Sequence, residues 1–284
     1  MIVDTYVHVW STDAARYPWQ PTLAHVPIPA YAAPVEELVA AMDDAGVGHA
    51  VLVQPSVYGW DNGYLCDCLD RWPDRFAGIC LIDPDAADPG KELDHWCGER
   101  GCQGVRLNII RQPDPSWLAA PRQDRFWRAV EALGLGVSMH MDLGHAPLVA
   151  RLAARHPGVT FMIDYLGAAV HRDPAPGPLL DLLAARRNVV FKLLATGEDS
   201  KDAYPFADLM PFYEAVWQRF GAARMVFGSD FPGVRFACSY RQAIDWPRHL
   251  GFLGEPDRRQ IMSATPAGLW RFAGGLVRQS DRSV

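Results

Sequence analysis

The chain has 284 residues, 49% hydrophobic and 11% aromatic, enough to bury one large core, and a length that suits a single domain over 1–284. Its 27 basic and 33 acidic residues are mixed along the chain to a formal charge of −6, so no basic stripe neutralises a phosphate backbone and nucleic acid is not expected as a partner. The start Met1-Ile2-Val3-Asp4 puts an acid where a secretory leader needs basic residues, and no apolar run approaches membrane-spanning length, so a soluble, cytoplasmic protein with no membrane partner is expected.

Eight short β-rich runs follow in order: Ile2 to Val9, Ala50 to Gln54, Ala77 to Ile82, Gly104 to Asn108, Gly136 to Met141, Thr160 to Asp164, Val189 to Leu193 and Met225 to Ser229. Segments of helical period separate them, such as Leu38, Val39 and Met42 closing at Gly46, or Phe212, Ala215, Val216 and Phe220 closing at Gly221. Alternation of this kind predicts parallel βαβ units, and eight of them predict a closed (β/α)8 TIM barrel of class α/β. An open doubly wound sheet is the alternative, but no Gly-x-Gly-x-x-Gly follows the first strand. Trp10 to Pro34 forms an unusually long connection holding five prolines with Trp10, Tyr17, Trp19, His25 and Tyr31, which reads either as a cover for a pocket or as a packed surface loop. Pro256 to Phe272 reads as an extra C-terminal helix outside the barrel, with Ile261, Met262, Leu269 and Phe272 on its apolar side. Six cysteines (Cys66, Cys68, Cys80, Cys97, Cys102, Cys238) lack paired Cys-x-x-Cys spacing and read as reduced, mostly structural thiols.

In the first strand a period of two puts Asp4, Tyr6 and His8 on one face and Val3, Val7 and Val9 on the other. Three polar groups are then expected inside a barrel that is normally filled with branched apolar side chains, a costly arrangement unless they find partners or do chemistry. The fifth strand ends at His140 and the eighth at Asp230, and side chains at the carboxyl ends of barrel strands converge on one mouth. Arg106 and Asn108 lie on the fourth strand. The Arg106 guanidinium reads as a bidentate anchor for a substrate carboxylate or as an ion pair with Asp83 or Asp142. Lys192 and Arg235 are further candidates for substrate charge, and Tyr58 and Trp60, with Trp10 and Trp19, are candidates to wall the pocket. No Gly-x-Ser-x-Gly elbow is present, so water is the better nucleophile.

The segments Asp4-Thr5-Tyr6-Val7-His8-Val9-Trp10, Gly104-Val105-Arg106-Leu107-Asn108, Ile163-Asp164-Tyr165-Leu166-Gly167 and Gly228-Ser229-Asp230-Phe231-Pro232 together resemble the amidohydrolase-related family, in the branch of lactonases and, more distantly, aminocarboxymuconate-semialdehyde decarboxylase. The resemblance implies a TIM barrel and hydrolysis of a lactone or similar ester, with Asp230 as general base for water. The family's His-x-His is matched at His8 and replaced by Tyr6 at its first member; its fifth-strand histidine is matched by His140; its sixth-strand histidine is replaced by Tyr165.

These departures leave His8, His140 and Asp230 as a two-His, one-carboxylate set for a single divalent ion such as zinc. The preferred reading requires no cofactor: His8 and His140 donate hydrogen bonds to the developing oxyanion, Asp230 takes the proton of water, and Tyr6 or Tyr165 protonates the leaving alkoxide. The expected partner is a small, acidic substrate, and a homo-oligomer is compatible with the sequence. A non-oxidative decarboxylase, another lyase or a cyclising enzyme on the same barrel is the second reading, and a non-catalytic ligand-binding barrel the third.

Overall fold

The computed structural model describes residues 1–22, 27–164, 176–197 and 200–273. Eight parallel strands are hydrogen-bonded in sequence order: β1 Ile2–Val7, β2 Val47–Val53, β3 Phe76–Leu81, β4 Gly104–Asn108, β5 Gly136–His140, β6 Phe161–Asp164, β7 Val189–Leu194 and β8 Met225–Gly228. The β1/β8 seam is closed by the Asp230 N–H donating to the Tyr6 carbonyl (2.9 Å), the His8 N–H donating to the Phe231 carbonyl (2.7 Å) and the Thr5 hydroxyl donating to the Phe227 carbonyl (2.6 Å). The architecture is the expected (β/α)8 barrel. None of the helices described is long and apolar enough to cross a membrane.

The strand residues alternate between two environments. Leu52, Val105, Leu107, Val137, Met139, Phe161, Ile163 and Phe191 face outward into the layer of helices. Val51, Val53, Ala77, Ile79, Met162, Val190 and Val226 pack against one another inside. This two-residue period comes directly from the pleat. The helices bury the complementary stripe; helix Val35–Ala45 buries Val35, Leu38 and Met42 and ends at Gly46, whose φ of 73° suits a residue without a Cβ.

Three details differ from the sequence-based expectation. The second strand begins earlier, at Val47, because Val47 and His49 pair with Ile2 and Val3. The C-terminal segment is a broken series, Glu255–Arg259, Gln260–Ala264 and Thr265–Leu269, and Trp270 is extended, so the helix does not reach Phe272. Trp270 and Phe272 join the inner cluster instead, with Phe272 stacked on His49 at 4.2 Å between ring centroids.

The third difference concerns β1. Its pairing with β2 slips between Asp4 and Val7, and an irregularity of this kind shifts the alternation of faces. Val3 and Tyr6 both pack in the inner cluster. Asp4, expected beside Tyr6 and His8, turns aside: its carboxylate accepts from the Ser229 N–H (2.9 Å) and the Tyr240 hydroxyl (3.0 Å) on helix Tyr240–Asp245. Burial raises its pKa from 3.8 to about 6, against the opposing effect of these hydrogen bonds.

Candidate active site

The carboxyl ends of β1 and β8 meet at His8 and Asp230. Asp230 sits at φ 61°, a left-handed conformation uncommon outside glycine, and its backbone N–H is held by Tyr6. Gly228 and Gly233 make room on either side of it: a Cβ at Gly228 would lie 2.5 Å from the Tyr6 Cβ, and one at Gly233 would lie 3.1 Å from Asp230 Oδ2. His8 Nε2 lies 3.8 Å from Asp230 Oδ1, and the two side chains are only 15% and 17% exposed.

The tautomer of His8 follows from its other contact. Nδ1 lies 2.7 Å from the Val53 carbonyl oxygen, which can only accept, so Nδ1 carries the proton. Burial, with further depression by the Arg106 and Lys192 charges, lowers the pKa of the ring from 6.5 to about 3. His8 is therefore neutral near pH 7, its contact with Asp230 is not an ion pair, and Nε2 presents a lone pair. This corrects one expectation: a neutral ring in this tautomer cannot donate from Nε2 to an oxyanion.

His140 ends β5 on the same mouth. Its Nδ1 lies 3.2 Å from Asn108 Oδ1, and Asn108 in turn donates from Nδ2 to Ser56 Oγ at 2.9 Å. His140 is thus placed through β4 and the segment after β2, a second group on the face that carries His8 and Asp230.

Arg106 lies inside the barrel, 4% exposed. It donates from Nη2 to the Tyr6 hydroxyl (2.8 Å) and from Nη1 to the Gln54 carbonyl (3.2 Å), while its buried Nε has no hydrogen-bond partner among the described residues. The alternative ion pairs do not form: Asp142 accepts the Arg111 N–H and caps the turn Leu143–His145, and Asp83 accepts the Asp85 N–H. Among the described residues this buried guanidinium meets a phenol and a carbonyl and forms no ion pair.

Lys192 differs. Its Nζ lies 2.6 Å from Asp164 Oδ1 and donates to Ser138 Oγ at 3.0 Å, Ser138 hydrogen-bonds Asp164 Oδ2, and the Lys192 and Asp164 side chains are fully buried. Its charge is spent within the barrel, so it is not placed to meet substrate charge as expected. Arg235 is likewise engaged, with Glu37 at 2.7 Å and the Ala32 carbonyl at 3.1 Å.

The described parts of the long connection pack on one another and on the segment after β2. Trp10 bridges to Ala33 and its indole N–H donates to the Tyr31 carbonyl. Trp19 stacks on Tyr58 at 4.8 Å, and the Tyr58 hydroxyl accepts the Ser11 N–H. Trp10, Trp19 and Tyr58 therefore cluster in the segments that follow β1 and β2, and Trp60 stands 38% exposed. Tyr165 and His25 lie outside the described residues.

Among the described residues no three His, Cys, Asp or Glu side chains converge closely enough to hold a metal ion. Sequence reasoning missed the roles of Val53, Gln54 and Ser56, which hold His8, Arg106 and Asn108 through a carbonyl, a carbonyl and a hydroxyl. Only Gln54-Pro55-Ser56, a polar run directly after β2, offered a signal.

Comparison with known proteins agrees with this fold. The amidohydrolase family profile matches residues 3–272. The chain belongs to the amidohydrolase family. This amidohydrolase is 27% identical to L-fucono-1,5-lactonase of Burkholderia ambifaria over 95% of each chain. It is 28% identical to 4-sulfomuconolactone hydrolase of Rhizobium radiobacter, over 81% of this chain and 75% of that one. Its fold superposes on the crystal structure of a probable 2-pyrone-4,6-dicarboxylic acid hydrolase from Acinetobacter baumannii with a TM-score of 0.79, at 23% identity, covering 94% and 98% of the two chains.

Proposed function

We propose that this amidohydrolase opens a small, carboxylated lactone by direct attack of water, without a metal. The observation that carries the proposal is the His8–Asp230 pair: two acceptors, Nε2 and Oδ1, 3.8 Å apart at the barrel mouth, with the His8 lone pair fixed by Val53. A water that donates one hydrogen to each acceptor presents its own lone pair to a carbonyl carbon, and Asp230 takes the proton as the bond forms. Relatives whose names specify lactones support the substrate class.

In this reading Arg106 supplies the positive charge that the substrate carboxylate answers, and His140, oriented by Asn108, meets the lactone carbonyl. Tyr6, whose oxygen already accepts from Arg106, is the group on β1 suited to return a proton to the departing alkoxide.

The test is hydrolysis of a panel of carboxylated and neutral γ- and δ-lactones in 18O-labelled water, on protein treated with a chelator. Incorporation of one labelled oxygen into the ring-opened acid is expected, with turnover unchanged by chelation. Product without label, carbon dioxide release, or activity lost on chelation and restored by zinc overturns the proposal.

A further inference from the structure

Four of the six cysteines meet on the outer, helix-facing side of β3. Cys66 lies on helix Gly63–Arg71, Cys80 on β3, Cys97 on the helical turn Asp94–Glu99, and Cys102 in the segment leading into β4. The sulfurs stand in pairs: Cys66 Sγ is 3.9 Å from Cys102 Sγ, and Cys80 Sγ is 3.7 Å from Cys97 Sγ. Cys80 Sγ also lies 3.4 Å from the carbonyl oxygen of Gly104, two residues beyond Cys102, so the two pairs lie side by side and form a row. Isolated buried cysteines act as small apolar side chains, but simple packing does not require two adjacent pairs of sulfurs in contact. The row forms no metal-binding group among the described residues.

We propose that this row is an oxidisable site, in which a peroxide converts Cys66 and Cys102, and then Cys80 and Cys97, into two disulfides. Access comes from the amino end of the barrel, where Cys97 and Cys102 line a cavity of about 760 Å³ bounded by Leu133, Leu135, Trp270 and Phe272. That volume admits a molecule the size of hydrogen peroxide. Cys102 reacts first: it lines the cavity, and its contact with Cys66 lowers its pKa while that of Cys66 is pushed up.

The Cys102 thiolate attacks one peroxide oxygen, the O–O bond breaks, and a sulfenic acid and hydroxide form. The Cys66 sulfur then attacks the Cys102 sulfur, the S–O bond breaks, and the Cys66 proton leaves with the oxygen as water. Two thiols and one peroxide give one disulfide and two waters, and the same balance holds for Cys80 and Cys97. Reaching a bonded S–S separation of about 2 Å from these starting distances requires each sulfur to move by roughly 1 Å, the scale of a side-chain rotation. The first bond ties helix Gly63–Arg71 to the entry of β4, and the second ties β3 to the turn Asp94–Glu99.

The experiment uses the reduced full-length protein in native buffer, titrated with hydrogen peroxide. Remaining thiols are then alkylated in denaturant, and the peptides are mapped without reduction. Linked peptides Cys66–Cys102 and Cys80–Cys97 are expected, reversed by dithiothreitol, with Cys68 and Cys238 still alkylated. A Cys66→Ser variant is expected to leave Cys102 as a sulfenic acid that dimedone labels. Cys97→Ser tests the second pair alone: Cys66–Cys102 still forms and Cys80 stays alkylated. Oxidation of the half-buried Cys238 before any linked peptide appears, or linkage only after denaturation, overturns the proposal.

Discussion

Two polar groups of residues share the inside of one barrel and are built on opposite terms. Between β5, β6 and β7, Lys192, Asp164 and Ser138 are buried and matched to one another, cation to carboxylate and hydroxyl to both. Around β1, β4 and β8, His8, Asp230 and Arg106 are also largely buried, but they do not close into an ion pair with one another: His8 keeps a lone pair on Nε2, Asp230 sits in a left-handed turn, and the Arg106 Nε has no hydrogen-bond partner among the described residues. Buried polarity that closes on itself stabilises a fold at best modestly, whereas buried polarity left open costs stability and marks a ligand. The difference separates framework from chemistry within a single ring of strands.

The sharpest way to break this division is Asp230→Asn. The amide keeps the shape of the side chain and loses the basicity, so kcat on a carboxylated lactone is expected to fall on the order of a thousandfold, a range typical of losing a general base with its electrostatic role. Thermal unfolding should stay within a few degrees of the parent. Retained turnover would return Asp230 to a turn-capping role and leave the mouth without a base.

Lys192→Met probes the other side. Removing the cation strands the Asp164 carboxylate without water, at a cost of about 3–5 kcal/mol in unfolding free energy, read from the urea midpoint. Adding Asp164→Leu should restore much of that loss, because an apolar pair can replace a buried ion pair. If Lys192→Met instead leaves stability unchanged and raises KM for acidic substrates, the β6/β7 group belongs to the binding site and the division fails.

Arg106→Met gives the intermediate effect. With the open guanidinium gone, KM for a carboxylated lactone is expected to rise about a hundredfold, the cost of losing one charged, hydrogen-bonded anchor. A neutral lactone of equal ring size should change little, and that contrast between two substrates is what the measurement reads. Equal losses on both would make Arg106 a scaffold for Tyr6 alone.

Much of this was legible beforehand, for identifiable reasons. β4 was readable to the residue, Gly104–Asn108, because Val105 and Leu107 alternate with Gly104, Arg106 and Asn108. Asp230 and His140 were findable because a strand's carboxyl end is a position in the chain as well as in space. The Asp4 side chain was misplaced, since a slip in strand pairing leaves no trace in a period-two pattern. The tautomer of His8 was inaccessible for another reason: it is set by the Val53 carbonyl, a backbone atom 45 positions away that every residue type supplies alike. The difference between Arg106 and Lys192 was hidden likewise, because it depends on which carboxylates the closed barrel brings near.

The smallest effect tests the protonation state on which the proposed mechanism rests. His8 has its folded pKa depressed to about 3 from 6.5, so as pH falls through that window the unfolded chain takes up a proton that the native state refuses, and stability is lost. Asp4 has its folded pKa raised to about 6 from 3.8, so the native state holds a proton that the unfolded chain releases, and stability present at low pH is lost as pH rises toward 6. Between pH 4 and 6 the two contributions have opposite sign and offset each other. His8→Asn keeps a donor for Val53 and removes only the titration. Relative to the parent, its urea midpoint should therefore improve steadily on acidification from pH 6.5 to 4, by on the order of 1 kcal/mol per pH unit. Parallel curves for parent and variant would mean that His8 titrates alike in both states; its Nε2 would then be protonated in moderate acid, and the paired acceptors that position water would be lost to one ordinary histidine.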